Sequence, residues 1–171
     1  NHPEASGAVH MTPISALTRE QQVEACGYCH AGVQPDSRRR PAFNFRPGDR
    51  LAEFFDLQPI DPTSQPEVHG NQLGLLQQSA CYRESETLTC TSCHDPHADA
   101  QTGPAGFAAG CLACHADLAA HAGAATAGEL VDGCIDCHMP LVDSQLIDVA
   151  EHGRKHHFAV RSHWIRVPDV P

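Results

Sequence analysis

Cysteine pairs that are each followed by a histidine recur four times in this chain of 171 residues. They read CGYCH, CTSCH, CLACH and CIDCH, and they occupy residues 26–30, 90–94, 111–115 and 134–138, which we call motifs 1 to 4. Two thiols three residues apart lie on one side of a helical turn. Each thiol can therefore add to one unsaturated group of a single flat ligand, while the adjoining imidazole can coordinate a metal at the centre of that ligand.

This arrangement is typical of covalent haem attachment, and four copies predict four haem c groups, each with one iron. Paired Cys₄ zinc sites are the main alternative, but they do not require a histidine after every pair. A thioredoxin-type dithiol and a disulfide scaffold leave the four histidines equally unexplained. The predicted haem-binding residues, in which the histidines are the proximal iron ligands, are Cys26, Cys29, His30, Cys90, Cys93, His94, Cys111, Cys114, His115, Cys134, Cys137 and His138.

The ninth cysteine, Cys81, lies in the apolar segment LGLLQQSACY. We expect it to be a buried, inert thiol, with an intermolecular disulfide as the alternative. Because covalent haem attachment takes place outside the cytoplasm, we expect a secreted protein, periplasmic or extracellular. No hydrophobic signal segment is visible after Asn1, so we expect that a signal has been removed or that upstream sequence is missing.

The second axial ligand of each iron is predicted to be histidine. The chain has 13 histidines, of which nine remain after the proximal ligands, and only two methionines. Met139 directly follows proximal His138 and cannot reach the opposite face of the same haem. Bis-histidine coordination is therefore expected at most sites, with lower reduction potentials than histidine–methionine coordination gives.

Composition predicts one compact multihaem cytochrome domain over residues 1–171, mainly irregular with short α-helices, little β-structure and a core packed with haem. Aromatic residues make up only 5%, and 13 glycines and 13 prolines divide the chain into short elements. The net charge of −10, with no aromatic residues among the basic run at 38–40, argues against nucleic acid as a partner. No apolar run approaches the roughly 20 residues of a membrane span.

Local signals place some of the elements. A helix is expected over 15–30, beginning at Ser15 or Thr18 and ending in motif 1, and a second one over 72–82, capped by Asn71. The remaining segments are a possible N-terminal arm at 1–17, a long loop at 35–66 around the first haem, one short helix for each of motifs 2 to 4, and an irregular tail from residue 141 onward, extended in part.

The segments HGNQLGLLQQSACYRESETLTCTSCHDPH, CIDCHMP and RSHWIRVP, together with CGYCHAG and FNFRPGD, give a resemblance to a family of bacterial multihaem cytochromes. Some members of that family are fused to tetratricopeptide repeats. The resemblance covers about residues 20 to 168. Relatives often carry a further haem motif upstream, where this chain has NHPEASGAVHMTP instead.

The resemblance implies that His69, His97 and His163 are distal iron ligands. His121 is a fourth choice, with His156 and His157 as its rivals, and His152 is a further surplus histidine. His2 and His10 have no counterpart in the family. An N-terminal histidine such as His10 is therefore a candidate ligand for an iron of the next subunit. Head-to-tail contacts of this kind propagate, and they would give a homopolymer in the form of a filament.

Electron transfer is the predicted function, with other redox proteins or extracellular electron acceptors as partners. The alternative is a multihaem reductase of the nitrite, hydroxylamine or tetrathionate type, which needs one iron left open to its substrate. A third class is a haem-rich module docked on a larger assembly. The arginines at 38, 39, 40, 46 and 50 are expected to bind haem propionates, or to form an anion-binding funnel if the protein is an enzyme.

Overall fold

The structure is a computed structural model that describes residues 12–32, 37–57, 70–98, 103–117 and 127–167. Within these ranges helices precede a β-hairpin, and none of the helices is long and apolar enough to cross a membrane. The predicted class, mainly helical and irregular, is confirmed for these residues. The elements are α1 (Arg19–His30), α2 (Gln72–Gln78), α3 (Ala80–Glu84), α4 (Gly103–Leu112), α5 (Ala127–His138), β1 (Leu141–Glu151) and β2 (Arg154–Arg161), with 3₁₀ turns at Ile14–Ala16, Ala42–Asn44, Leu51–Glu53 and Cys90–Ser92.

Helix α1 begins at the predicted Thr18 and carries motif 1 in its last turn. The Thr18 hydroxyl accepts a hydrogen bond from the Gln21 amide (3.3 Å), and the Gln21 side chain accepts one from the Thr18 amide (3.0 Å). This reciprocal capping box satisfies two backbone donors that have no partner inside the helix. The start of α1, and with it the position of motif 1, is therefore fixed by local chemistry.

The hydrophobic core lies between α1, α2 and the segment 37–57. The Glu24 carboxylate of α1 accepts hydrogen bonds from the Arg50 side chain and the Leu51 amide, which ties this segment to the helix that carries motif 1. Described residues 37–57 of the predicted loop thus pack against that helix. The buried residues of this core are Val23, Leu51, Phe54, Phe55, Leu73, Leu76 and Tyr82, with Tyr28, Ala31, Phe45, Leu88, Cys90 and Ile165 packed against them.

The single helix predicted over 72–82 is in fact two helices, broken at Ser79. Asn71 caps α2 as expected, since its side-chain oxygen accepts from the Gly74 amide (3.2 Å). Ser79 has extended backbone angles, φ −67° and ψ 134°, between α2 and α3. The break changes the direction of the chain, so Leu73 and Leu76 are buried while Ala80 is exposed.

The tail from residue 141 is not irregular but forms an antiparallel β-hairpin. Glu151 pairs with Arg154 across a two-residue turn in which His152 (φ 51°) and Gly153 (φ 77°) both have left-handed backbone angles. Turns of this kind match the twist of the adjoining strands. The strand register is irregular between positions 143 and 148. Residues 158–161, within the part expected to be extended, do lie in β2, and this hairpin is the one sheet of the described residues, which agrees with the expectation of little β-structure.

Candidate haem sites

The four motifs share one pattern of exposure. In each motif the first cysteine is half-buried and the second is exposed, and the histidines of motifs 1 to 3 are exposed as well. The second sulfur of each motif is therefore reached from solvent, whereas the first lies partly against neighbouring residues of the chain.

Motifs 1 and 2 touch through their first cysteines. The Cys90 thiol hydrogen-bonds to Cys26, which lowers the pKa of Cys26 to about 7 and, together with burial, raises that of Cys90. These residues lie 64 positions apart in the chain, so the contact is tertiary. Arg19 of α1 supports it, because its guanidinium donates to the carbonyls of Leu88 (3.1 Å) and Tyr82 (2.6 Å), which lie in the segment that leads into motif 2.

Motif 2 in turn touches the helix that carries motif 3. A Cβ atom added to Gly110 of α4 would lie 3.1 Å from the Cys93 sulfur, so the helix backbone approaches this thiol closely. The ring of Phe107, also on α4, meets the ring of His94 edge to face, with centroids 5.3 Å apart. Helices α4 and α5, whose last turns carry the first cysteines of motifs 3 and 4, also pack against each other. The motifs thus follow one another in space in the order in which they occur in the chain.

The structure brings two of the predicted iron ligands together. The rings of proximal His94 and predicted distal His163 have centroids 5.8 Å apart and planes inclined by 25°. Two imidazoles on opposite sides of one metal ion would have centroids about 6 Å apart, since each metal–nitrogen bond is about 2 Å and each nitrogen lies about 1 Å from its ring centre. The centroid separation is close to that value, but the two rings are stacked, so they would have to turn their nitrogens towards each other to hold one ion.

The backbone around His163 is held by Ser79, a residue that the sequence analysis did not identify. The Ser79 hydroxyl donates to the His163 carbonyl (3.0 Å) and accepts from the Ile165 amide (2.8 Å). Ser79 is fully buried, at 0% exposure, so water does not replace these bonds. The break between α2 and α3 thereby fixes a segment more than 80 positions further along the chain.

The protonation state favoured for the His163 imidazole is the one that a metal ligand needs. Burial, followed by the nearby His94 and His30, lowers its pKa, so the neutral imidazole that coordinates metals is favoured. Its Nδ1 is buried and has no hydrogen-bond partner among the described residues. Buried polar atoms are normally paired, and a coordinated ion would account for the placement of this ring in the interior.

His138 of motif 4, a predicted proximal ligand, makes a hydrogen bond of the kind that metal-binding histidines make. Its Nδ1 lies 2.8 Å from the Arg166 carbonyl oxygen, which accepts the hydrogen bond, and the Arg166 amide donates to the His138 carbonyl (3.2 Å). An imidazole that donates from Nδ1 to a backbone carbonyl keeps its other nitrogen available for a metal. The segment 162–166 thus contacts motif 2 through His163 and motif 4 through Arg166.

Arg161, at the end of β2, fixes the hairpin to α5. Its guanidinium donates to the carbonyls of Ile135 and Met139, both at 3.0 Å, and pairs with the Asp136 carboxylate. These three groups belong to motif 4 or follow it directly. No sequence signal distinguished Arg161 or Arg166 from other surface arginines, because their partners are mostly backbone carbonyls.

The remaining predicted distal ligands are not brought to a motif by the described part of the structure. The side chain of His97 is exposed in the turn after motif 2, where its amide donates to Asp95 Oδ1 (2.9 Å). His69 lies outside the described residues, although its neighbour Gly70 accepts a hydrogen bond from Gly32 (2.7 Å), two positions after motif 1. The other candidates divide into those outside the described ranges, His2, His10 and His121, and those exposed on the hairpin, His152, His156 and His157.

The arginines that follow motif 1 pair with carboxylates in this structure. Arg39 lies 2.9 Å from Asp56, and Arg40 lies 3.1 Å from Glu53. Arg50 binds Glu24, as described above. These exposed pairs are individually weak, so the guanidinium groups could exchange a carboxylate of the chain for a haem propionate. Three of the five arginines are thus already engaged, which leaves less positive charge for an anion-binding funnel.

Within the described ranges, no three histidine, cysteine or acidic side chains converge on a point that a metal ion could occupy. The ligand groups are instead distributed as pairs along four connected motifs. No protein-family model, no curated protein and no solved structure matches the chain.

Proposed function

We propose that this chain is a tetrahaem c-type cytochrome that transfers electrons, of the bacterial multihaem class that its motifs resemble. The observation that carries the proposal is the opposed pair of rings, His94 and His163, at 5.8 Å. One of these residues is a proximal ligand by its motif and the other a distal ligand by resemblance. Their juxtaposition across 69 positions of sequence is not explained by ordinary core packing, since His94 is exposed.

The residues of the chain have three tasks in this proposal. The cysteine pairs would hold the haems through thioether bonds, and the histidines would supply iron ligands that exclude other molecules. When bound, the haems supply one-electron iron couples, whose potentials depend on the axial ligands and on burial. Ser79 holds the backbone of His163, and the Arg166 carbonyl accepts a hydrogen bond from the His138 imidazole, so both histidines would be held in place as ligands.

The contacts between successive motifs support transfer along the chain rather than storage at isolated sites. Motif 1 touches motif 2 through sulfur atoms, motif 2 touches α4, and α4 packs on α5. Groups attached to motifs in contact have edges near one another, as electron transfer requires. In this proposal the protein works in the periplasm or outside the cell, with other redox proteins or extracellular acceptors as partners.

Intact-mass spectrometry and spectroscopy of the purified protein, produced in a host that attaches haem c, test this proposal. We expect a mass equal to the chain plus four haems, and a spectrum of low-spin iron that is reduced reversibly at low potential. A chain that carries no covalent haem would refute the proposal. A high-spin haem in stoichiometric amount that binds nitrite or hydroxylamine would favour the alternative, a multihaem reductase with one open iron.

A polymeric form extends the proposal. If His10 or another N-terminal histidine coordinates an iron of the next subunit, the haems of many subunits form one extracellular filament. Negative-stain microscopy of the same preparation should then show fibres, and the His10→Ala variant should show fewer or shorter ones. Single particles in both samples would restrict the proposal to a soluble carrier.

A further inference from the structure

The hairpin formed by β1 and β2 carries opposite charge on its two strands. Strand β1 contains three acidic residues and no basic one, whereas β2 contains three basic residues, two histidines and no acidic one. This separation is unusual in a chain of net charge −10 that has only 11 lysines and arginines in total. The basic residues of β2 are Arg154, Lys155 and Arg161, of which Arg161 is paired with Asp136 of α5 and does not add to the charge of the exposed outer half. The acidic residues of β1 are Asp143, Asp148 and Glu151.

The outer half of this hairpin extends into solvent. Every residue from 150 to 159 is exposed. Among the described residues each strand pairs only with the other, so each has one further edge along which a strand could add. A two-stranded sheet on its own is marginally stable in water, and an exposed strand edge is a template for pairing with another chain.

We propose that this hairpin joins copies of the chain head to tail, with the β2 edge of one copy adding to the β1 edge of the next. Like edges carry like charge, so pairing of β1 with β1 or of β2 with β2 is disfavoured. A β1 edge and a β2 edge attract each other because their charges are opposite. Every copy of the chain carries one edge of each kind. A contact between two different surfaces of one chain does not close on itself, and it therefore propagates.

The proposal does not depend on the haem assignment, because it uses only the strand edges and their charges. It also differs from the N-terminal histidine contact, which needs an iron. The two contacts can be separated by salt, since attraction between exposed charged strands is screened whereas a coordinate bond is not.

Sedimentation velocity of the purified holoprotein over a range of concentrations tests the proposal. We expect average size to rise continuously with concentration at low salt, without stopping at a dimer, and to fall at high salt. The hydrogen-bonded pair at the turn, Glu151 with Arg154, directs the N–H of Ala150 to the outer side of β1. Ala150→Pro removes that donor and should weaken association roughly tenfold, whereas Ala150→Ser keeps the donor and should not.

A charge-swap experiment keeps the test decisive even if Ala150→Pro distorts the hairpin. Lys155→Glu on β2 and Glu151→Lys on β1, both at exposed positions, should each weaken self-association, because each variant then places a repulsive charge in the contact. Mixing the two variants should restore assembly, since the altered β2 of one meets the altered β1 of the other. Damage to the fold would not be repaired by mixing.

Three results would overturn the proposal. A sample that remains monomeric at every concentration would mean that the edges are not used, or that another part of the same chain covers them. A closed dimer would mean that like surfaces pair. Assembly that is unchanged in Ala150→Pro and insensitive to salt would place the contact elsewhere, for example at the N-terminal histidines.

Discussion

Ser79 is the residue whose removal most directly tests how His163 is held. The substitution Ser79→Ala deletes a hydroxyl that accepts from the Ile165 amide and donates to the His163 carbonyl, at 2.8 Å and 3.0 Å. Because Ser79 is fully buried, water does not replace the two lost hydrogen bonds, although the Ile165 amide still donates directly to the His163 carbonyl (3.0 Å). Neither group is left without a partner, so each lost bond should cost about 0.5–1.5 kcal/mol and the free energy of unfolding should fall by roughly 1–3 kcal/mol.

Guanidinium denaturation measures this loss, and the fluorescence of Trp164 reports the segment itself, because Trp164 is the only tryptophan and lies next to His163. Ser85→Ala is the matched control. The Ser85 hydroxyl also accepts two amide hydrogen bonds, from Thr87 and Leu88, but it lies in a half-buried local turn that water can reach. We expect a loss below about 1 kcal/mol there. Equal losses in the two variants would refute the role given to Ser79.

Two further substitutions test the packing that positions motifs 1 and 2. Gly27→Ala would place a Cβ atom 2.5 Å from Leu73 Cδ2 and should destabilise the protein by about 1–3 kcal/mol in thermal or denaturant unfolding. Gly133→Ala is the control, because a Cβ atom there meets nothing within 4 Å, and it should be neutral or stabilise the protein by up to about 1 kcal/mol. A protein that is destabilised more by Gly133→Ala than by Gly27→Ala would contradict this packing. Arg19→Lys loses the fork that stacks at 3.9 Å on the Tyr82 ring and binds the Tyr82 carbonyl, so it should cost roughly 1–3 kcal/mol. A denaturation midpoint unchanged from that of the parent would exclude this contribution.

The parts of the fold that follow from local chemistry could be predicted from the sequence. Thr18 with Gln21, and Asn71 before an apolar run, are capping signals whose geometry involves only near neighbours in the chain. The hairpin was missed because β1 lacks strict alternation and its register is irregular. Its turn is His152–Gly153, in which histidine occupies a left-handed position more commonly taken by asparagine or aspartate.

The pairing of ligands could not be predicted, because it depends on tertiary contacts. Resemblance named His163 as a distal ligand but did not say which iron it serves, and the spacing of the motifs contains no such information. In the structure the ring that lies beside His163 is that of His94. The role of Ser79 could not be predicted for a related reason. A serine between two apolar helical segments also suits a solvent-exposed turn, and its hydrogen bond is to a residue 84 positions away in the chain.

Electron paramagnetic resonance of the oxidised His163→Ala variant, compared with the parent protein and with His97→Ala, is the measurement that tests the central claim most directly. Removal of one distal imidazole should convert one low-spin iron of the four to high spin, while mass spectrometry still finds every haem attached. If His163→Ala keeps all its irons low-spin, His163 is not an axial ligand and the opposed rings do not mark a haem site.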